Sequence, residues 1–230
     1  MFNLEKEALI ASGITDERRI ADYLGKLDSL CRQFLSSMPY LHDHTAMARI
    51  LFDALWREKP ARYKPHHHYR LNDVIDASLS SVIHTVGNCL GLTLLYNCLL
   101  KRIGIKAQAL YLDMAFDTGP HVLTLLHEKG RQIDVENIFP NGFDYKGHLG
   151  NPSRTTWGDR ELVADIYLSK GNEFFEKKKY AEALKSYETA IDLNPLYEKA
   201  HLNRAILLDK IEMEEKRDRS PNHGEAVDEV

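Results

Sequence analysis

The stretch Asn88-Cys89-Leu90-Gly91-Leu92-Thr93-Leu94-Leu95-Tyr96-Asn97-Cys98-Leu99-Leu100-Lys101-Arg102 decides how the 230-residue chain is read. Asn88 is a good N-cap, because its side-chain oxygen can accept an amide proton left unpaired in the first turn. Behind it, apolar side chains fall on nearly every face, the mark of a buried central helix. Lys101 and Arg102 suit the negative end of the helix dipole, and Gly104 predicts its stop. Cys89 therefore lies in the first turn of a buried helix. There the macrodipole and the unpaired amides favour thiolate, and the amides after Asn88, at Cys89 and Leu90, can contribute to an oxyanion hole.

Downstream, three strands are expected: Ala107 to Met114, His121 to Leu126, and Gln132 to Asn137. His127-Glu128-Lys129-Gly130 joins the last two as a short hairpin. If the turn is Glu128-Lys129, or all of 127–130, Leu126 pairs with Arg131 and Asp134 faces Leu123. His121 and Asp134 are then diagonal neighbours on one face. A three-residue turn would send them to opposite faces. Cys89, His121 and Asp134 thus supply, in order, the nucleophile, base and orienting acid that an acyl-transferring cysteine site needs. Glu136 reads as a surface acid, and Cys31 and Cys98 as core residues.

Upstream, residues 1 to about 62 read as helices. Thr15 is the expected cap of one, with Asp16 and Glu17 in its first turn. Another covers His44 to Trp56 with Ala46, Ile50, Leu51 and Leu55 inward, and a further helix runs near Leu71 to Ser80. Residues 145–160 are rich in Gly, Pro, Ser and Thr and read as a linker or surface loop. Residues 161–217 are helical, and 218–230 form a polar tail expected to be disordered.

A net charge of −4, from 30 basic and 34 acidic residues, gives no electrostatic footprint for nucleic acid. No apolar run is long enough for a membrane span, and the acidic start does not suit a secretory signal. Three cysteines argue against a disulfide framework and for a reducing, cytoplasmic location. His42, His44, His66, His67, His68 and His84 lack metal-ligand spacing, so neither metal nor cofactor is expected.

The C-terminal spacing of Tyr167, Gly171, Phe174, Ala183, Tyr187, Ala190 and Pro195 resembles the tetratricopeptide pattern. One repeat is complete, and Glu198 to about Lys216 adds one helix. Asn172 and Asn203 would sit on the concave side, where amides hold an extended peptide. Leu168 stands where carboxylate-binding relatives carry lysine, which argues against C-terminal carboxylate capture. Bracing of the first domain or self-association is the other use of such helices.

Helix-start Cys89, strand His121 and next-strand Asp134 resemble the transglutaminase-like superfamily of papain-like cysteine enzymes. The whole order is similar to its bacterial branch with C-terminal tetratricopeptide helices. That resemblance implies an α+β fold. Residues 1–144 would form a transglutaminase-like domain with a helical N-terminal region and a nucleophile helix packed on a small antiparallel sheet. It implies a cysteine amide hydrolase or acyl transferase (protease, deamidase or cross-linking enzyme) acting through a thioester on a protein or peptide. The alternative is a non-catalytic interaction scaffold that uses the tetratricopeptide helices.

Overall fold

The computed structural model describes residues 2–36 and 43–219, with side chains to 217. His42 and the expected tail from 220 on lie outside the described residues. The N-terminal region is helical: α1 Leu4–Ala11, α2 Glu17–Leu35, α3 His44–Glu58 and α4 Leu71–Leu79. Asp16, not Thr15, caps α2, its side chain accepting from the Arg19 amide. In α3 the buried stripe is Ala48, Leu51, Phe52, Leu55 and Trp56, while Ala46 and Ile50 are only partly covered. The stripe is turned because Phe52 packs edge-on against Tyr96 and Phe143.

Helix α5 spans Cys89–Arg102, with the Asn88 side chain accepting from the Gly91 amide at 3.0 Å, and Leu90 through Leu100 are buried. Its unbroken apolarity has a direct cause: α2 and α4 pack on it from one side and the sheet from the other. The sheet is antiparallel, in the order β3-β2-β1-β4, built from β1 Ala107–Ala115, β2 Gly119–Glu128, β3 Arg131–Val135 and β4 Thr155–Trp157.

A buried polar network pins α5 to the sheet. Thr93 donates to the Val122 carbonyl, Thr124 donates to Asn97 at 2.7 Å, and Asn137 donates to both Thr93 and Thr124. These bonds satisfy groups that would be costly to bury unpaired, and they fix where the helix start sits relative to β2.

Residues 145–160, read as a linker or surface loop, are bonded to the sheet. Among them, β4 pairs Trp157 with Ala109, so the sheet has four strands rather than three. The segment before β4 crosses the face that carries Leu110, Leu112, Leu123 and Leu125. It is held there by Arg154 to Asp134, Asn151 to the Met114 carbonyl, and the Asp113 amide to Ser153.

Three helices follow, α6 Asp159–Glu176, α7 Tyr180–Leu193 and α8 Glu198–Arg219. Helices α6 and α7 approach closely because Gly171 has no side chain. A Cβ there would meet the Tyr187 ring at 2.4 Å. The helices dock on the core rather than trailing from it. Trp157 stacks on Tyr111 with centroids 4.0 Å apart, and Tyr197 meets both edge-on. Ion pairs Lys101–Asp159 and Arg70–Glu173 flank the contact. The result is a mixed helical and small antiparallel-sheet domain with a helical C-terminal region packed against it.

Candidate functional site

The Cys89 thiol, at the start of α5, lines the same cavity as the His121 ring and interacts with it electrostatically. The Nε2 of His121 lies 2.8 Å from Glu136 Oε2, and the Nε2 of His148 lies 3.0 Å from the same oxygen. With Nε2 engaged, Nδ1 is the ring nitrogen left for sulfur. His121, His148 and Glu136 are all buried, Glu136 completely, while Cys89 is partly exposed.

Asp134 does not orient His121. It is 3% exposed and forms a two-pronged pair with Arg154, at 2.6 and 3.0 Å. The hairpin explains the change. Its turn is only Lys129-Gly130, both at positive φ, 49° and 81°, which suits a tight two-residue loop. Asp134 then pairs with Leu125, two positions further along β2 than the level of Leu123. Extended by one residue beyond Thr124↔Val135, the same register brings Glu136 level with Leu123, diagonal to His121. Glu136 is therefore a buried partner of two histidines and not the surface acid expected.

Electrostatics match this geometry. Burial alone would discourage charge on His121, but its interactions with Cys89 and with Glu136, whose carboxylate accepts from the ring, outweigh it and hold the imidazole up to about 10. Burial likewise works against an ionised Glu136. The hydrogen bonds and charges of His121 and His148 win there too, and hold its carboxyl below the usual range. The group can thus keep His121 as an imidazolium at neutral pH.

His148 carried no sequence signal. It lies in the glycine-rich stretch read as a linker or surface loop, and only the fold of that stretch over the sheet brings it to Glu136. Phe116 closes the group from outside, its ring edge-on to His121 at 5.3 Å and His148 at 4.8 Å. Among the described residues, the donors of His121, Glu136 and His148 come within 4.8 Å of one another, a ligand set of the His2Glu kind known for zinc. None of the candidate histidines at 44, 66, 67, 68 or 84 joins it. Both Nε2 atoms meet one carboxylate oxygen at hydrogen-bond distance.

Cys89 and His121 open into a cavity of about 210 Å³ whose opposite wall is the C-terminal helices. Leu90 and Asn88 lie on the core side, and Asp165, Asn172 and Lys199 on the other. Asn172 is anchored by its amide oxygen, which accepts from Tyr187 at 2.9 Å and from Asn203 at 2.8 Å. The two expected peptide-binding amides are therefore bonded to each other, and Asn172 alone of the pair lines the cavity.

Among the described residues no helix is long and apolar enough to cross a membrane. Residues 171–210 match the family of the TPR repeat. The chain is 45% identical over 47 residues to the Hsp70-Hsp90 organising protein of Plasmodium falciparum, which covers 20% of this chain and 8% of that protein. It is 50% identical over 49 residues to Hsp70-Hsp90 organizing protein 1 of Arabidopsis thaliana (21% and 9%), and 47% over 49 to that of Glycine max (21% and 9%). The chain thus spans less than a tenth of the length of these curated relatives. No solved structure matches it. The C-terminal helices carry a TPR repeat similar to those of Hsp70-Hsp90 organising proteins, set against a domain that holds a Cys–His–Glu group.

Proposed function

We propose that this protein is an interaction protein whose TPR helices hold a segment of a partner protein. The observation that carries this is the match of residues 171–210 to the TPR repeat, together with relatives whose names describe the organisation of Hsp70 and Hsp90. Chaperones are accordingly the first partners to test. Leu168 in place of the lysine of carboxylate-binding relatives favours an internal segment over a free C-terminus. Binding of purified Hsp70 and Hsp90, and of an immobilised library of short peptides, is measured by interferometry. Binding that weakens in Asn172→Ala and Asn203→Ala is the expected result. No binding to either chaperone or to any library peptide would end this reading.

A second reading is favoured by one specific feature: Cys89 and His121 line one open cavity, and His121 is hydrogen-bonded to Glu136. In it, Cys89 attacks an amide carbonyl and His121 gives a proton to the leaving amine. The thioester then passes its acyl group to water or an amine. The amides at the start of α5 would hold the oxyanion, and Glu136, not Asp134, keeps the ring charged and oriented. Papain-like or transglutaminase-like chemistry has this form. Iodoacetamide labelling of Cys89 at neutral pH should slow by about tenfold or more in His121→Ala, and chelation by EDTA should leave it unchanged. A rate independent of His121 would remove the catalytic reading and leave the interaction function standing.

A further inference from the structure

The cavity beside Cys89 is shared between the two parts of the molecule, and its repeat-side wall is one face of α6. Asp165, Ser169 and Asn172 follow at spacings of four and three residues, so they line up on that face. Asp165 uses one carboxylate oxygen to accept from Tyr197 at 2.7 Å. Its other oxygen has no hydrogen-bond partner among the described residues. Asn172 has the opposite character: its oxygen is taken by Tyr187 and Asn203, while its amide nitrogen donates to no described group. The wall thus presents one free acceptor and one free donor, seven residues apart. On a helix that is about 10.5 Å. An extended peptide rises about 3.3 Å per residue, so three residues span the same distance. One main-chain N–H and one C=O three residues apart would meet these two groups.

We infer that this cavity binds an extended peptide laid along α6, its main chain held by Asp165 and Asn172 and a neighbouring amide carbonyl brought to Cys89. The inference rests on the reading of the TPR helices as protein-binding. It adds where the peptide lies and that the repeat feeds the cysteine site. A main-chain ligand fits better than a charged small molecule. Lys199 and Asp165 on the repeat-side wall carry opposite charges, and the cavity volume, about seven water molecules' worth, suits a short stretch of chain.

Two isosteric swaps isolate the claim. Asp165→Asn keeps an oxygen for Tyr197 but turns the free acceptor into a donor. Asn172→Asp keeps an oxygen for Tyr187 and Asn203 but turns the free donor into an acceptor. Cys89 is labelled with acetyl-tetra-alanine chloromethyl ketone and, separately, with iodoacetamide, and intact-mass spectrometry gives both rate constants. The ratio of peptide to iodoacetamide rates is expected to fall by about tenfold in each variant, one hydrogen bond's worth. Ser169→Phe, which fills the cavity between the two groups, should lower the ratio as much, and serves if a swap fails to fold. A ratio held within about twofold in the folded variants would overturn the inference. Loss of all chaperone and peptide binding would instead sink the underlying interaction reading.

Discussion

At the scale of residues, the decisive group is Glu136, a fully buried carboxylate held between two imidazoles. Its pairing with His121 gives stability a defined pH window. His121 is raised from 6.5 to about 10, so its contribution is complete below about pH 6.5 and is lost as pH rises towards 10. Glu136 is lowered from 4.5, so its contribution is present above about pH 4.5 and is lost as pH falls through its depressed value. Both are in full force between those limits. Glu136→Gln should therefore destabilise the fold by about 3 kcal/mol near pH 5.5, and the deficit should shrink as pH approaches 10. Urea unfolding of both proteins at a series of pH values checks this, and a deficit that does not change with pH would contradict the charged pair. Period-two alternation put 134 and 136 on the same face, so Glu136 was as eligible as Asp134 from sequence. What sequence could not supply was the placement of the turn: at Lys129-Gly130 rather than Glu128-Lys129 it moves the register by two residues, which separates the two choices.

Elements were legible to different degrees. Helix α5 was readable from Asn88, the continuous apolar run and Gly104, because capping and burial are both written locally. The repeat helices were readable because Gly171 and Tyr187 must fit into one another. Tyr187→Ala should remove that ring and unpin Asn172, costing about 3–5 kcal/mol in the C-terminal helices. Hydrogen exchange should then speed up across α6–α8, and unchanged protection there would refute the packing role. Strand β4 was missed because Thr155-Thr156-Trp157 is three residues long, too short to show alternation against its Gly- and Pro-rich surroundings.

On the scale of the whole molecule, the TPR helices and the sheet are joined through Trp157, stacked on Tyr111 and met by Tyr197. That joint makes the repeat a wall of the cysteine cavity. It also predicts one cooperative transition, seen alike by far-UV circular dichroism and by Cys89 accessibility in urea. Trp157→Ala should lower stability by about 3–5 kcal/mol and separate the two curves, with the C-terminal helices melting first. Coincident curves at unchanged midpoint in the variant would show that the joint contributes nothing.

Sequence alone determined the buried helix with cysteine at its head, the hairpin with histidine near its start, and the repeat helices. Each rests on periodicity, capping or close approach within a few residues of one another. Only the tertiary structure decided which carboxylate meets His121, that His148 joins it, and that α6 closes the cavity over Cys89. Those outcomes depend on where the turn falls and on segments folding across the sheet, and contacts between residues far apart in the chain leave no local pattern.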